Sequence, residues 1–249
     1  MLTMPSLAAA LLATSAAQAP VSKVATPIPS HPDKLTFKPI VYEPPKAGDY
    51  RVVLKNGMVV FIAEDNTLPL VNIALTVRSG KYLEPAGKEG LADLAGALLR
   101  RGGTSSLAAE ELDEKLDLLA AQVSTGIGDT SGSATLNCLA DNLDEALALF
   151  VEMLREPRFQ DDRLRLSKEQ TLQEMKKRND DSADIESREW NVLLYGEDHF
   201  TNRFATEASI ASIGRDDLLA FHGRAFHPAN MVAAVSGAFP REEMIRKLE

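Results

Sequence analysis

Two β-branched runs on either side of Asn56-Gly57 constrain the chain more than any other feature. Residues 51–55 (Arg-Val-Val-Leu-Lys) and 58–63 (Met-Val-Val-Phe-Ile-Ala) are too short and too branched to read as helices. The Asn-Gly between them supplies the positive φ angles of a type I′ turn, so the segment is predicted to be a hairpin. A third strand is predicted over 70–77, where apolar and polar residues alternate. Helices are predicted over 105–121, capped by Ser105 or Ser106, and over 142–154, 161–179, 183–195 and 213–226, with a last one over 241–248. Strands over 122–127 and 131–139, turning at Gly128-Asp129, and over 231–236 complete the set. Three strands, helices, two strands, further helices and a closing strand is neither strict βαβ alternation nor a helical bundle. The predicted class is α+β: a mostly antiparallel mixed sheet with helices packed on one face.

Charge and composition narrow the partners. A net charge of −9, with basic residues interleaved among acids, excludes nucleic acid, since phosphate contacts need clustered Lys and Arg. No stretch of the mature chain is predicted to span a membrane. Residues 1–19 carry a short apolar run at 7–13 followed by Ala17-Gln18-Ala19, the small-x-small pattern of a signal peptide; a periplasmic or otherwise exported protein is expected. Residues 20–48, with seven prolines, are expected to be an extended lead-in, and 49–249 the folded domain. The single cysteine, Cys138, is read as a small core residue. No Gly-x-Ser-x-Gly nucleophile motif is present.

Residues 90–104, Gly-Leu-Ala-Asp-Leu-Ala-Gly-Ala-Leu-Leu-Arg-Arg-Gly-Gly-Thr, form a helix whose surroundings matter more than its own side chains. They follow Val77-Arg-Ser-Gly and Glu84, and they precede 193–200 (Leu-Leu-Tyr-Gly-Glu-Asp-His-Phe), 206–213 (Thr-Glu-Ala-Ser-Ile-Ala-Ser-Ile), 217–222, 226–230 and 232–237. With the Leu54–Val60 hairpin, these segments in this order resemble the first half of the pitrilysin/insulinase peptidases, family M16. The resemblance covers about residues 48–249 and implies a metallohydrolase-type domain of that family, similar also to LuxS. In such peptidases the helix carries His-x-x-Glu-His, whose imidazoles hold Zn²⁺ while the Glu takes a proton from metal-bound water. Here the His positions fall on Asp93 and Ala97 and the Glu position on Gly96. The family's third ligand, a Glu further on, matches Glu174 by count, with Glu169 the alternative on the same charged helix.

The resemblance therefore implies a degenerate motif, with no catalytic residue and no metal ligand beyond the weak candidate Glu174. No cofactor is expected in this chain, and zinc only in a partner subunit. It also implies that the strand Gln122, Val123, Ser124, Thr125 and Gly126 is the sheet edge that pairs with a peptide through main-chain hydrogen bonds, a role that needs no catalytic side chain. The expected partners are a catalytic M16 subunit or second M16 half, and a peptide substrate. Of the four histidines, His31 lies in the lead-in and His199 in a loop, while His222 and His227 are five apart and so fall on different helical faces. Three functions stay open. The chain is a non-catalytic subunit completing a peptide-processing chamber, an active zinc peptidase using Asp93, Glu174 and a histidine, or an assembly protein like the M16-like core subunits of the cytochrome bc complex.

Overall fold

The computed structural model describes residues 31–35, 37, 39 and 41–249. The expected signal peptide and residues 20–30, 36, 38 and 40 of the lead-in lie outside the described residues. The chain divides into two units, Met1–Pro44 and Pro45–Glu249. In the first, Pro32–Lys34 make one 3-10 turn and His31 sits exposed beside Asp33. The second contains the fold.

Its sheet has six strands: β1 Arg51–Val53, β2 Val59–Glu64, β3 Leu70–Val77, β4 Gln122–Ile127, β5 Gly132–Leu139 and β6 Met231–Gly237. They lie in the order β1-β2-β6-β3-β5-β4, and every pair is antiparallel except β2–β6. The closing strand therefore inserts between β2 and β3, and β4 forms an edge. Strand alternation decides the faces. Val71, Ile73, Leu75 and Val77 of β3 point to the buried side with Ala134, Leu136 and Cys138 of β5, while Asn72, Ala74 and Thr76 point to the open side.

The helices are α1 Ala47–Tyr50, α2 Leu91–Arg101, α3 Ala109–Leu118, α4 Leu143–Arg155, α5 Asp161–Lys176, α6 Ser182–Tyr195, α7 Glu207–Ser212, α8 Arg215–Ala225 and α9 Arg241–Leu248. Seven of these nine helices among the described residues contribute to the two apolar clusters of the domain; α1, beside open-face residues of the sheet, and α6 do not. One apolar cluster joins the sheet to Leu112 and Leu116 of α3, Leu147, Phe150 and Met153 of α4, and Met244 of α9. A second centres on α2, whose Leu91, Leu94, Leu98 and Leu99 meet Leu164 of α5, Ile210 of α7 and Phe221 of α8. Each such buried side chain contributes roughly 1.5–3 kcal/mol. Among the described residues no helix is long and apolar enough to cross a membrane.

Three local expectations need correction, and one short helix was not expected. The β1–β2 turn is not type I′. Gly57 alone takes a positive φ, +87°, and Leu54 N–H bonds the Met58 carbonyl at 2.9 Å, which closes a three-residue loop rather than a two-residue one. Asn56 supports it by accepting from Met58 N–H at 3.0 Å. Neither Ser105 nor Ser106 caps α3. Glu152 of α4 and Glu156 just beyond its end take up the Ser105 hydroxyl, and Glu152 also the Ser106 N–H, while α3 begins at Ala109. The helix expected over 213–226 is present as α8, while α7 before it, where Thr206 and Ser209 cap one another, was not expected as a separate helix. The end of the expected lead-in is partly helical, as α1.

Candidate functional site

The start of α2 is fixed by a buried carboxylate. Glu84, only 7% exposed, accepts from Gly90 N–H at 3.1 Å and Ala92 N–H at 2.7 Å, so it satisfies donors that the helix leaves without partners. Burial holds the Glu84 carboxyl above the usual carboxylate range, against the opposing pull of these two bonds. Just upstream, the Lys81 N–H bonds the Gly128 carbonyl at 3.1 Å, which ties the segment after β3 to the β4–β5 turn.

A cavity of about 320 Å³ opens between α2 and α5, lined among others by Lys81, Glu84, Asp93, Glu174, Arg178 and Arg203. Asp93 and Glu174, far apart in sequence, therefore line one cavity. What meets Asp93 there is a side-chain cation. Lys81 Nζ lies 3.5 Å from Asp93 and 3.4 Å from Asp129 of the β4–β5 turn. The Asp93 carboxyl is nevertheless held above its ordinary range, because desolvation outweighs the attraction of Lys81. Its side chain is 59% exposed, so the pair adds little stability. Glu169 faces solvent.

Position 96 is sealed. A Cβ on Gly96 would stand 2.4 Å from the Ile127 backbone nitrogen and 2.8 Å from the Gly126 carbonyl carbon. Real Cβ atoms do not approach backbone so closely, and backbone does not swing aside as a side-chain tip does. Thr125 Oγ1 locks the approach by donating to the Gly96 carbonyl at 2.6 Å. Ala97 lies one position on, in a separate groove against Val123, Ser124 and Thr125. The three motif positions are thus divided among a cavity wall, a helix–strand contact and a groove. A tetrahedral zinc site needs three or four N, O or S donors. Positions 93, 96 and 97 provide one, and among the described residues no group of three His, Cys, Asp or Glu is placed to hold a metal ion. The residues present do not fit zinc.

β4 pairs with β5 on one side only. Gly128 N–H bonds the Ser131 carbonyl at 2.9 Å and closes the hairpin. Antiparallel alternation then turns the N–H and C=O of residues 123, 125 and 127 outward. Helix α2 abuts the last of these at Ile127, which leaves 123 and 125 facing the groove.

Two of the four histidines, His199 and His222, take part in packing. His222 is 8% exposed, donates from Nε2 to the Leu154 carbonyl at 2.8 Å and stacks on Phe226. His227 is exposed, so the two do face apart. His199 pairs with Thr201 at 2.8 Å and stacks on Tyr195. Burial depresses the His222 pKa, so the stability from its neutral form is complete above its unfolded value and is lost as pH falls through the lower, folded one. Below about pH 6.5 the native protein is expected to lose urea resistance relative to His222→Gln. Parallel urea midpoints across the acid range for the two would contradict this.

Residues 59–197 match the sequence pattern of the family described as Insulinase (Peptidase family M16). The chain belongs to peptidase family M16. A Rickettsia bellii protein called "Uncharacterized zinc protease" is 22% identical over 197 residues, which are 79% of this chain and 48% of that protein. The Helicobacter pylori "Non-peptidase homolog YmxG" is 25% identical over 190 residues, 76% of this chain and 44% of that protein. The crystal structure of a "peptidase M16 inactive domain" from Pseudomonas fluorescens superposes with a TM-score of 0.73 at 26% identity, covering 79% of this chain and 48% of that one. The chain thus spans about half the length of the curated M16 relatives it matches.

Motif reading found Asp93, Gly96, Ala97 and Glu174. It missed Lys81 and Asp129, which carry no motif and meet only in the fold, and the capping role of Glu84, signalled only by its place before the Gly90-Leu91 helix start.

Proposed function

We propose that this M16 chain is a non-catalytic half that receives an extended peptide along the outer edge of β4 and works with a second M16 half or a zinc-bearing relative. The observation that carries the reading is the contact at Gly96. Catalysis on this scaffold needs a carboxylate where the β4 backbone now lies, 2.4 Å from the position of a Cβ. The relatives support it in two respects: one is described as an inactive domain and another as a non-peptidase homologue, and this chain corresponds to about half of each. The outward backbone of Val123 and Thr125 supplies main-chain pairing without any catalytic side chain. No cofactor is needed for that role, so zinc belongs to the partner. Export, inferred from residues 1–19, would place the pair outside the cytoplasm.

Hydrogen exchange tests the peptide site. With a saturating, capped, alternating Val/Thr peptide, amide protection is expected to rise at Val123 and Thr125, and the peptide is expected to remain uncleaved in the presence of zinc. Cleavage by the pure chain, or protection confined to other strands, would contradict the proposal.

A further inference from the structure

The groove beside β4, about 450 Å³ in volume, has an unusual charge for this protein. One wall is Val123, Ser124 and Thr125. The other carries Arg100 and Arg101 from the last turn of α2 and Arg163 from the first turn of α5. A single carboxylate, Asp113 of α3, shares the lining. Arg100 engages it, while Arg163 bonds Glu110 at 2.8 Å and stands 3.9 Å from Asp113. Arg101 is exposed and enters none of the ion pairs found among the described residues. Three guanidinium groups around one groove, in a chain of net charge −9, reverse the sign of the field locally.

Position makes that charge selective. A peptide pairing with residues 123 and 125 lies within the same groove, where Ala97 leaves open space that a longer side chain would fill. Guanidinium forks match carboxylates in a planar, two-bond geometry that an ammonium or an amide lacks. We infer that the groove selects extended peptides bearing a carboxylate, an acidic side chain that Arg101 and Arg163 receive while the peptide backbone pairs with β4. The inference rests on the β4 reading above and adds the chemistry of the ligand.

Three synthetic peptides test it by fluorescence anisotropy with the full chain. The first is Thr-Val-Glu-Val-Thr with both ends capped, the second its Gln analogue, also capped, and the third the Gln analogue with a free C-terminal carboxylate. The capped Glu peptide is expected to bind about tenfold tighter than the capped Gln peptide at low salt, the size of a charge-assisted hydrogen bond, and to lose most of that advantage at high salt. Arg101→Gln, a change at an exposed position, is expected to cut the advantage severalfold and leave the capped Gln peptide's affinity unchanged. A preference shown only by the free-carboxylate peptide, and lost with Arg101→Gln, assigns the same groove to a peptide C-terminus. Equal binding of all three, or a preference that survives both Arg101→Gln and Arg163→Gln, overturns the inference and leaves the β4 reading standing. Failure of every peptide to bind overturns both.

Discussion

Replacing Gly96 with Glu, the residue that would restore a general base to the motif, is expected to destabilise the domain by about 4 kcal/mol or more and to restore no peptidase activity. The cost has two parts. The Cβ would enter the Ile127 and Gly126 backbone at 2.4–2.8 Å, which forces α2 off β4 and breaks the bond from Thr125 to the Gly96 carbonyl. Beyond the Cβ, a carboxylate would have to be accommodated against the same helix–strand contact. Domains of this kind are stable by only about 5–15 kcal/mol, so this variant is expected to accumulate poorly. Gly96→Ala keeps the test readable. Overpacking of about 1–3 kcal/mol opposes a helix-propensity gain of about 1 kcal/mol, and a lower urea midpoint is expected because backbone atoms cannot move aside. A Gly96→Ala protein as stable as the parent, or a Gly96→Glu protein that folds normally, would show that α2 can leave the strand.

The second large effect is expected at Glu84. Glu84→Ala strips the acceptor from two N–H groups at the start of α2 and is expected to cost about 2–4 kcal/mol, read as a shift in urea midpoint. Glu84→Gln keeps an oxygen in place and is expected to stay within about 1 kcal/mol of the parent at neutral pH, since a buried charge replaced by a neutral group of the same shape loses little. The two variants separate acceptor from charge. The pH dependence follows from the raised carboxyl. The native state binds the Glu84 proton more tightly than the unfolded chain, so this group's contribution is largest below its unfolded pKa and declines as pH rises through the folded value above it. Glu84→Gln should therefore gain on the parent as pH rises out of the carboxylate range. Equal losses from Ala and Gln would mean that the charge, rather than the acceptor, holds the helix.

How much of this was legible in the sequence depended on how local the physics was. β3 and β4 begin and end where alternation placed them, because their period alone decides which face is buried. The β1–β2 turn was legible as a turn but not as a type, since loop length is set by the register of both strands and Asn-Gly serves either closure. The start of α3 was missed because Ser105 and Ser106 bond carboxylates at the end of α4, about fifty residues away in sequence, a tertiary bond that outcompetes the local cap.

The site divides along the same line. Positions 93, 96 and 97 were readable from spacing, and so was Glu174 by count, yet the reason for Gly96 was not. Sequence presents it as a lost carboxylate, whereas the fold shows a helix resting directly on strand backbone. Lys81 and Asp129 are joined only because the segment after β3 zips onto the β4–β5 turn. The arginines of the groove come from two helices, and no single window of sequence contains them together with β4.

Zinc content after equilibrium dialysis of the pure, full-length chain against a zinc buffer tests the central claim most directly, because a site with three protein donors retains the metal and one with a single carboxylate does not. Far less than one zinc per chain is expected, unchanged in Asp93→Asn. One tightly held zinc per chain, released by Asp93→Asn or Glu174→Gln and accompanied by peptide hydrolysis, would contradict it.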